Sequence, residues 1–211
     1  MKPLNVIDLG NCPYGKAWDI QKDLHVKRVA GEIPDTLILV EHPHVYTLGK
    51  NANARHLIAS KEYLKTKGIE IYNVDRGGDI TYHGPGQLVG YPIFNLKDHK
   101  ESVVWYVHTV EQVLIDLLAV YNITAKRIEK LTGVWVGDRK IAAIGMRVSK
   151  WVTMHGFALN ISTDLSLYDG IIPCGIVSKG ITRIADLAPG IQMDQVKRDV
   201  IIKFRKLFDL S

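Results

Sequence analysis

Only two cysteines, Cys12 and Cys174, occur in 211 residues. That is too few for a disulfide framework or a cysteine-rich zinc site, and nothing in the spacing of the other side chains calls for a metal. No apolar run approaches the roughly 20 residues that span a bilayer, so no membrane is expected as a partner. There is no strand–GxGxxG–helix unit and no Walker loop, which removes two common nucleotide sites and leaves no expected cofactor. No repeat, low-complexity tract or Pro/Ser linker interrupts the chain, so residues 1–211 are expected to form a single domain. Blocks of Lys/Arg interleaved with aromatics are also missing, and nucleic acid is not indicated.

What is present is ordinary for a globular protein: 46% hydrophobic and 23% charged residues, with a formal charge of +5 and a pI near 9.1. A basic balance favours acidic partners, although a mildly basic surface without function would look the same. The start, "MKPLNVIDLG", has one lysine and then Asp8 inside a short apolar alternation. It reads as an opening strand rather than a targeting peptide, which places the protein in the cytoplasm with its thiols reduced.

"LNVIDL" and "TLILVE" read as strands. Between them Ala17, Trp18, Ile20, Leu24 and Val29 are spaced as one helix face, which Gly31 stops. "SKEYLKTKG" is a short helix with Ser60 as N-cap and Gly68 past its end. After Ser102, the residues Val103, Val107, Val110, Leu114, Leu117 and Tyr121 recur at steps of three and four. That regularity is expected of core packing and carries no functional assignment. "GVWV" and "IAAIGMRV" flank Gly137-Asp138-Arg139, a hairpin signal, and "WVTMHGFALNI" is a further strand. An amphipathic helix runs from Asp194. Irregular alternation of strands and helices predicts an α+β (α/β) fold, a mixed sheet with flanking helices, over a doubly wound parallel one.

The stretch "RGGDITYHGPGQLVGYP", Arg76 to Pro92, holds five glycines and two prolines around Thr81, Tyr82, His83 and Gln87. Glycine lets a ligand approach the main chain closely. Two glycine clusters bracket "DITYH", more than a Pro-Gly hairpin needs, which points to a pocket wall bearing the Tyr82 and His83 side chains. Cys174 lies in "PCGI" between bend-forming residues. An isolated thiol is usually a buried small hydrophobe; to act as a nucleophile it needs a nearby cation or base. Lys140 enters an apolar strand, where it either snorkels to solvent or, turned inward, favours a thiolate. Strict alternation in "MHGFALNI" puts His155 with Phe157, Leu159 and Ile161, and Asn160 on the face of Gly156 and Ala158, whose small size leaves room for a ligand. Cys12, in "GNCPYG", is read as structural.

Taken together and in order, "RGGDITYHGPGQLVGYPI", "GVWVGDRKIAAIGMRV", "HGFALNI" and "GIIPCGI" resemble the lipoyl(octanoyl) transferase family over roughly residues 40–187. The resemblance implies the biotin/lipoate ligase catalytic-domain fold, with a largely antiparallel sheet. It implies transfer of an octanoyl group from octanoyl-acyl carrier protein to a lysine of lipoyl domains, those of 2-oxoacid dehydrogenase E2 subunits and the glycine cleavage H protein, without ATP. It further implies Cys174 as the nucleophile that carries the acyl thioester. Lys140 is then the residue that lowers the thiol pKa and exchanges the proton. Arg76, Gly77, Gly78, Asp79, Ile80, Thr81, Tyr82, His83, Ala143, Ile144, Gly145, Gly156, Phe157 and Ala158 are the implied acyl-pocket residues, with His155, Asn160 and Gln87 in support. One departure is "ITRIADL", where Arg183 stands in place of a serine at the pocket rim.

Three readings compete. An ATP-dependent lipoate or biotin ligase needs no cysteine nucleophile, and lipoate ligases usually carry Asn where this chain has Gln87. An octanoyl or lipoyl amidotransferase would use the same thiol with another lipoyl-bearing donor. A Cys-His hydrolase would pair Cys174 with His83 or His155, but "CGIVSKGITRIADL" lacks the apolar periodicity of a nucleophile-bearing helix.

Overall fold

The computed structural model describes residues 2–172 and 180–211. In chain order the elements are β1 (Leu4–Asn11), α1 (Tyr14–Val29), β2 (Asp35–Glu41), β3 (Val45–Leu48), α2 (Lys61–Lys67), β4 (Glu70–Asn73) and β5 (Ile80–His83). There follow β6 (Gln87–Ile93), α3 (Val103–Val120), β7 (Lys126–Ile128), β8 (Leu131–Val136), β9 (Arg139–Ser149), β10 (Val152–Asn160), α4 (Ile184–Leu187) and α5 (Met193–Phe208). Seven strands form one sheet in the order β1-β2-β6-β10-β9-β8-β7, and β4-β3-β5 form a second. Among the strands of the described residues only β1–β2 and β3–β4 pair in parallel, so the sheets are mixed and largely antiparallel.

Local signals explain where the helices start and stop. The Ser60 and Ser102 hydroxyls accept from the N–H groups of Tyr63 and Trp105, each satisfying one donor that a first turn leaves open. Gly31 and Gly68 take positive φ, 76° and 62°, where the chain leaves α1 and α2. α1 packs Ala17, Trp18, Ile20, Leu24 and Val29 on one face of the large sheet, against Ile38, Val89 and Met154. α3 and α5 cover the other face: Val110, Leu114 and Leu117 meet Val200, Phe204 and Phe208 above Leu39, Leu88 and Leu159. α3 has the length and composition of a membrane-crossing helix, more than the sequence suggested. Here its buried side is core, while Val103, the first residue of the expected stripe, is exposed.

The glycine-rich stretch is not a hairpin. β5 belongs to the small sheet and β6 to the large one, so Gly84-Pro85-Gly86 carries the chain across from one to the other. Two glycines make the crossing possible by close approach. A Cβ on Gly84 would fall 1.8 Å from the Tyr82 hydroxyl, and one on Gly86 would fall 2.6 Å from Ser162 Oγ. The strands of the large sheet are equally tight, because Gly90 lies under the Phe157 ring, 2.2 Å from where its Cβ would be. Gly90→Ala should therefore lower stability by about 1–3 kcal/mol, the usual cost of overpacking. A drop of several degrees in the thermal midpoint is expected, and an unchanged midpoint would show that Phe157 yields freely.

Candidate functional site

The two sheets enclose a cavity of about 400 Å³, within the range of small-ligand pockets, roughly 300–1,000 Å³. One wall is the segment from Arg76 to Thr81 together with His83; the other is Ala143, Ile144 and Gly145 on β9 and Gly156, Phe157 and Ala158 on β10. Lys140 and His155 also line it. Gly145 and Gly156 are direct register partners, as are Ala143 and Ala158, so the sheet is smooth where the cavity crosses it.

Arg76 holds the glycine-rich wall in place. Its guanidinium is buried, with Nη2 donating to the carbonyl of Thr47 (2.7 Å) and to its Oγ1 (2.9 Å), and Nη1 donating to the Gly77 carbonyl. Next to it, the Gly77 N–H donates to the Met146 carbonyl at 2.8 Å, which ties the wall to β9 past the point where pairing with β8 ends at Ala142. A Cβ on Gly145 would sit 3.1 Å from the Gly77 oxygen and 3.2 Å from Arg76 Cδ, so the wall lies close on the strand. Asp75, just before, accepts from His155 Nε2 at 2.7 Å and pairs with Arg147. Burial works to raise the Asp75 pKa, but the His155 hydrogen bond and the Arg147 charge outweigh it and hold the carboxyl below its ordinary value.

His155 does not follow the expected alternation. Its φ is +57°, which turns the ring out of line with Phe157 and sets it between Trp18 and Tyr91. Phe157 instead stacks on Phe204 in the opposite core. Tyr82 is likewise not on the cavity wall. Its ring packs on Tyr46 and Tyr168, and its hydroxyl pairs with His44 Nδ1 at 2.8 Å. Gln87 and Asn160 stand behind the wall. The two hydrogens of the Gln87 amide nitrogen are shared among Asn160 Oδ1, the Tyr168 hydroxyl and the Tyr82 carbonyl, and its Oε1, an acceptor only, takes the proton of His83 Nδ1, 2.8 Å away. Asn160 Nδ2 donates to the Thr182 carbonyl at 3.1 Å.

That last bond leads to Lys140. The Lys140 N–H donates to the Gly180 carbonyl at 2.9 Å and its carbonyl accepts from Thr182 N–H at 3.0 Å, so residues 180–182 run beside it. Its Nζ lies over the Trp135 ring, 4.8 Å from the centroid, a cation–π geometry. Gly133 makes room: a Cβ there would meet Lys140 Cε at 3.3 Å and the Ala142 carbonyl at 2.7 Å. The Gly133 N–H is held by the buried Glu111 carboxylate, which Arg127 also reaches. Cys174, Pro173 and Gly175 lie outside the described residues. Ile172, two residues before the thiol in sequence, donates its N–H to the His56 carbonyl at 2.8 Å, and His56 Nδ1 bonds Asp79. Arg183 reaches Asp186 and the Thr163 carbonyl and does not line the cavity.

Sequence reasoning missed several contributors. Tyr14, Val89, Tyr91, Met146 and Lys130 through Thr132 line the cavity, as does Val107, one of the α3 residues assigned to packing alone. Tyr14 stacks on His83, and His42 donates Nδ1–H to the Cys12 carbonyl and accepts from Tyr91. These contacts join segments far apart in the chain, and no local pattern announces them. Cys12 is buried, in accord with a structural role. Among the described residues no three His, Cys, Asp or Glu side chains gather as a metal set.

Burial pushes the His42 pKa down to about 4 and, with the neighbouring His42 charge, that of His83 down to about 3. Burial also lowers His155, against the pull of Asp75. All three imidazoles are neutral near pH 7 in the folded protein, whereas in the unfolded chain they take up protons near pH 6.5. Below that value the unfolded state binds more protons, so acid costs stability. Each such histidine adds about 1.4 kcal/mol per pH unit to the slope between pH 6.5 and its folded pKa. The urea midpoint should therefore fall steadily from pH 7 to pH 5, and a midpoint flat over that range would show that these rings are not buried neutral.

The lipoyl protein ligase A/B catalytic domain model matches residues 13–205. An octanoyltransferase of Solibacter usitatus is 51% identical over 96% of this chain and 92% of the relative, and one of Alkaliphilus metalliredigens is 49% identical over 98% and 95%. Among solved structures, lipoate-protein ligase A bound with ATP superposes with a TM-score of 0.80 at 17% identity, over 99% of this chain and 87% of the other. A biotin protein ligase from Aquifex aeolicus in complex with biotin and ATP gives 0.59 at 12% identity, over 99% and 71%. At those identities the solved structures speak for the fold.

Proposed function

We infer that this chain, which belongs to the lipoyl protein ligase A/B catalytic domain family, is an octanoyltransferase of lipoate biosynthesis. The observation that carries the reading is a mostly apolar cavity with a lysine on its wall, in a chain about half identical to octanoyltransferases. The donor is octanoyl-acyl carrier protein and the acceptors are lipoyl domains, in the cytoplasm. The acyl tail lies on the smooth strip of Gly145, Gly156 and Ala158, beneath Arg76 to Gly78. Filling that strip removes apolar surface from water, which supplies binding without a charged partner for the tail.

Cys174 attacks the thioester carbonyl with Lys140 favouring its thiolate, and the carrier thiol leaves with the proton. Backbone N–H groups beside the thiol hold the oxyanion. An octanoyl-Cys174 thioester remains. The acceptor lysine then attacks that carbonyl as the neutral amine, its proton passes to Lys140, and the Cys174 sulfur departs as the amide forms. Exchange between thioesters is nearly balanced and conversion to an amide runs downhill, so no ATP is consumed. Two features support the assignment of Lys140: the Gly133 gap that admits its stem, and the pairing of residues 180–182, on the far side of Cys174 in sequence, with its own backbone.

Incubation with octanoyl carrier protein should give an intact mass heavier by one octanoyl group, on Cys174, with no ATP or magnesium added. Lys140→Met should slow transfer at least about a hundredfold, the scale of losing positioned acid–base catalysis, and Cys174→Ser should abolish the adduct. If Cys174→Ser still transfers octanoyl and no adduct forms on the wild type, the covalent route is wrong. A requirement for ATP would favour a ligase instead.

A further inference from the structure

Lys130 stands at the tip of the β7–β8 hairpin, between the paired residues Ile128 and Leu131. Its φ is +63°, a left-handed conformation that strains a side chain with a Cβ and that glycine adopts freely. Packing does not account for a lysine there, since the side chain is 88% exposed. Its ion pair with Glu129, at 3.8 Å, is equally exposed and holds it weakly. Yet the residue borders the cavity together with Leu131, Thr132 and Lys140. Short links relate it to Lys140: the Leu131 carbonyl accepts from Trp135 Nε1 at 3.1 Å, and Lys140 Nζ lies over that indole.

A cation at the edge of the cavity that Lys140 also lines can pair with an anion that a substrate carries in. The donor offers none there, because the phosphate of the carrier's prosthetic arm is separated from the thioester sulfur by the full length of that arm. An acceptor with an acidic residue beside the target lysine does, because such a residue arrives within one side chain's length of that lysine. We propose that Lys130 recognises the acceptor protein, by pairing with an acidic side chain next to the lysine that receives the acyl group. The strained hairpin tip keeps the ammonium at the mouth while leaving the acyl cavity unobstructed. This rests on the octanoyl-transfer reading above.

The test separates the two half-reactions. Octanoyl-pantetheine, which carries neither protein nor phosphate, loads the enzyme, and transfer to a lipoyl domain is then followed against acceptor concentration and NaCl. Lys130→Gly, which relieves the positive φ and should keep the thermal midpoint, is expected to lower acceptor kcat/KM about tenfold at low salt. The difference should shrink at high salt, where charges at a rim are screened. Lys130→Arg should restore most of the loss, and loading should stay within about twofold in both variants. With an acceptor that carries an acidic residue beside its target lysine, neutralising that residue should slow the wild type and leave Lys130→Gly unaffected. Unchanged acceptor kcat/KM, or an equal loss in loading, would overturn the proposal. A wild type that transfers octanoyl without ever carrying it would refute the covalent route instead, and the acceptor dependence would still decide on Lys130.

Discussion

A buried guanidinium is expensive unless its donors are met, and the way Arg76 is met organises the site. It is 7% exposed, and its hydrogen bonds go to Thr47 on the small sheet and to the carbonyl beside it in the wall. The same residue presses its stem against Gly145 on the large sheet. One cation therefore fixes the spacing between two sheets that, among the described residues, share no strand pairing. Asp75 and Gly77, its neighbours, fasten to Arg147, His155 and Met146, so the loop is held from both sides of the charge. The cavity is the gap that this spacing leaves.

Much of the fold was legible because its signals are local. Apolar periodicity, serine caps and glycine stops mark α1, α2 and α3, and α5 begins within a residue of the expected position. The hairpin at Gly137 and the long strand through His155 are equally plain. What could not be read is where period alone decides a direction. His155 departs from alternation because a single left-handed residue turns it, and a histidine in sequence gives no sign of that φ. The crossing at Gly84 to Gly86 looked like a choice between a turn and a pocket. It is a passage between sheets, which only long-range pairing defines.

The candidate site divides along the same line. The motif residues of Arg76 to Thr81, with His83, Ala143 to Gly145 and Gly156 to Ala158, come together around one cavity. Tyr82, Gln87 and Asn160 lie in the same motifs yet serve as backing: Tyr82 faces away from Thr81 and His83 in its strand, while Gln87 and Asn160, register partners in phase with Val89 and Ala158, lie further along their strands and bond each other. Glu111, which helps place the hairpin, carries no motif at all, and Gly133, which opens the "GVWV" segment, gives no local sign that it makes room for the Lys140 stem. Their importance arises from a contact between a helix and a bulged strand that lie far apart in the chain.

Lys140 sits in a ladder that runs on to Gly180 and Thr182, and this has a consequence for how such a chain can change. Side chains alternate along a strand, so inserting or deleting one residue between Gly133 and Lys140 would turn the ammonium to the opposite face of the sheet. Substitutions at exposed positions of that hairpin such as Arg139 are cheap, whereas changes of length are not. The aim of the lysine is a matter of parity, and divergence in this region should therefore proceed by exchange of residues at constant count.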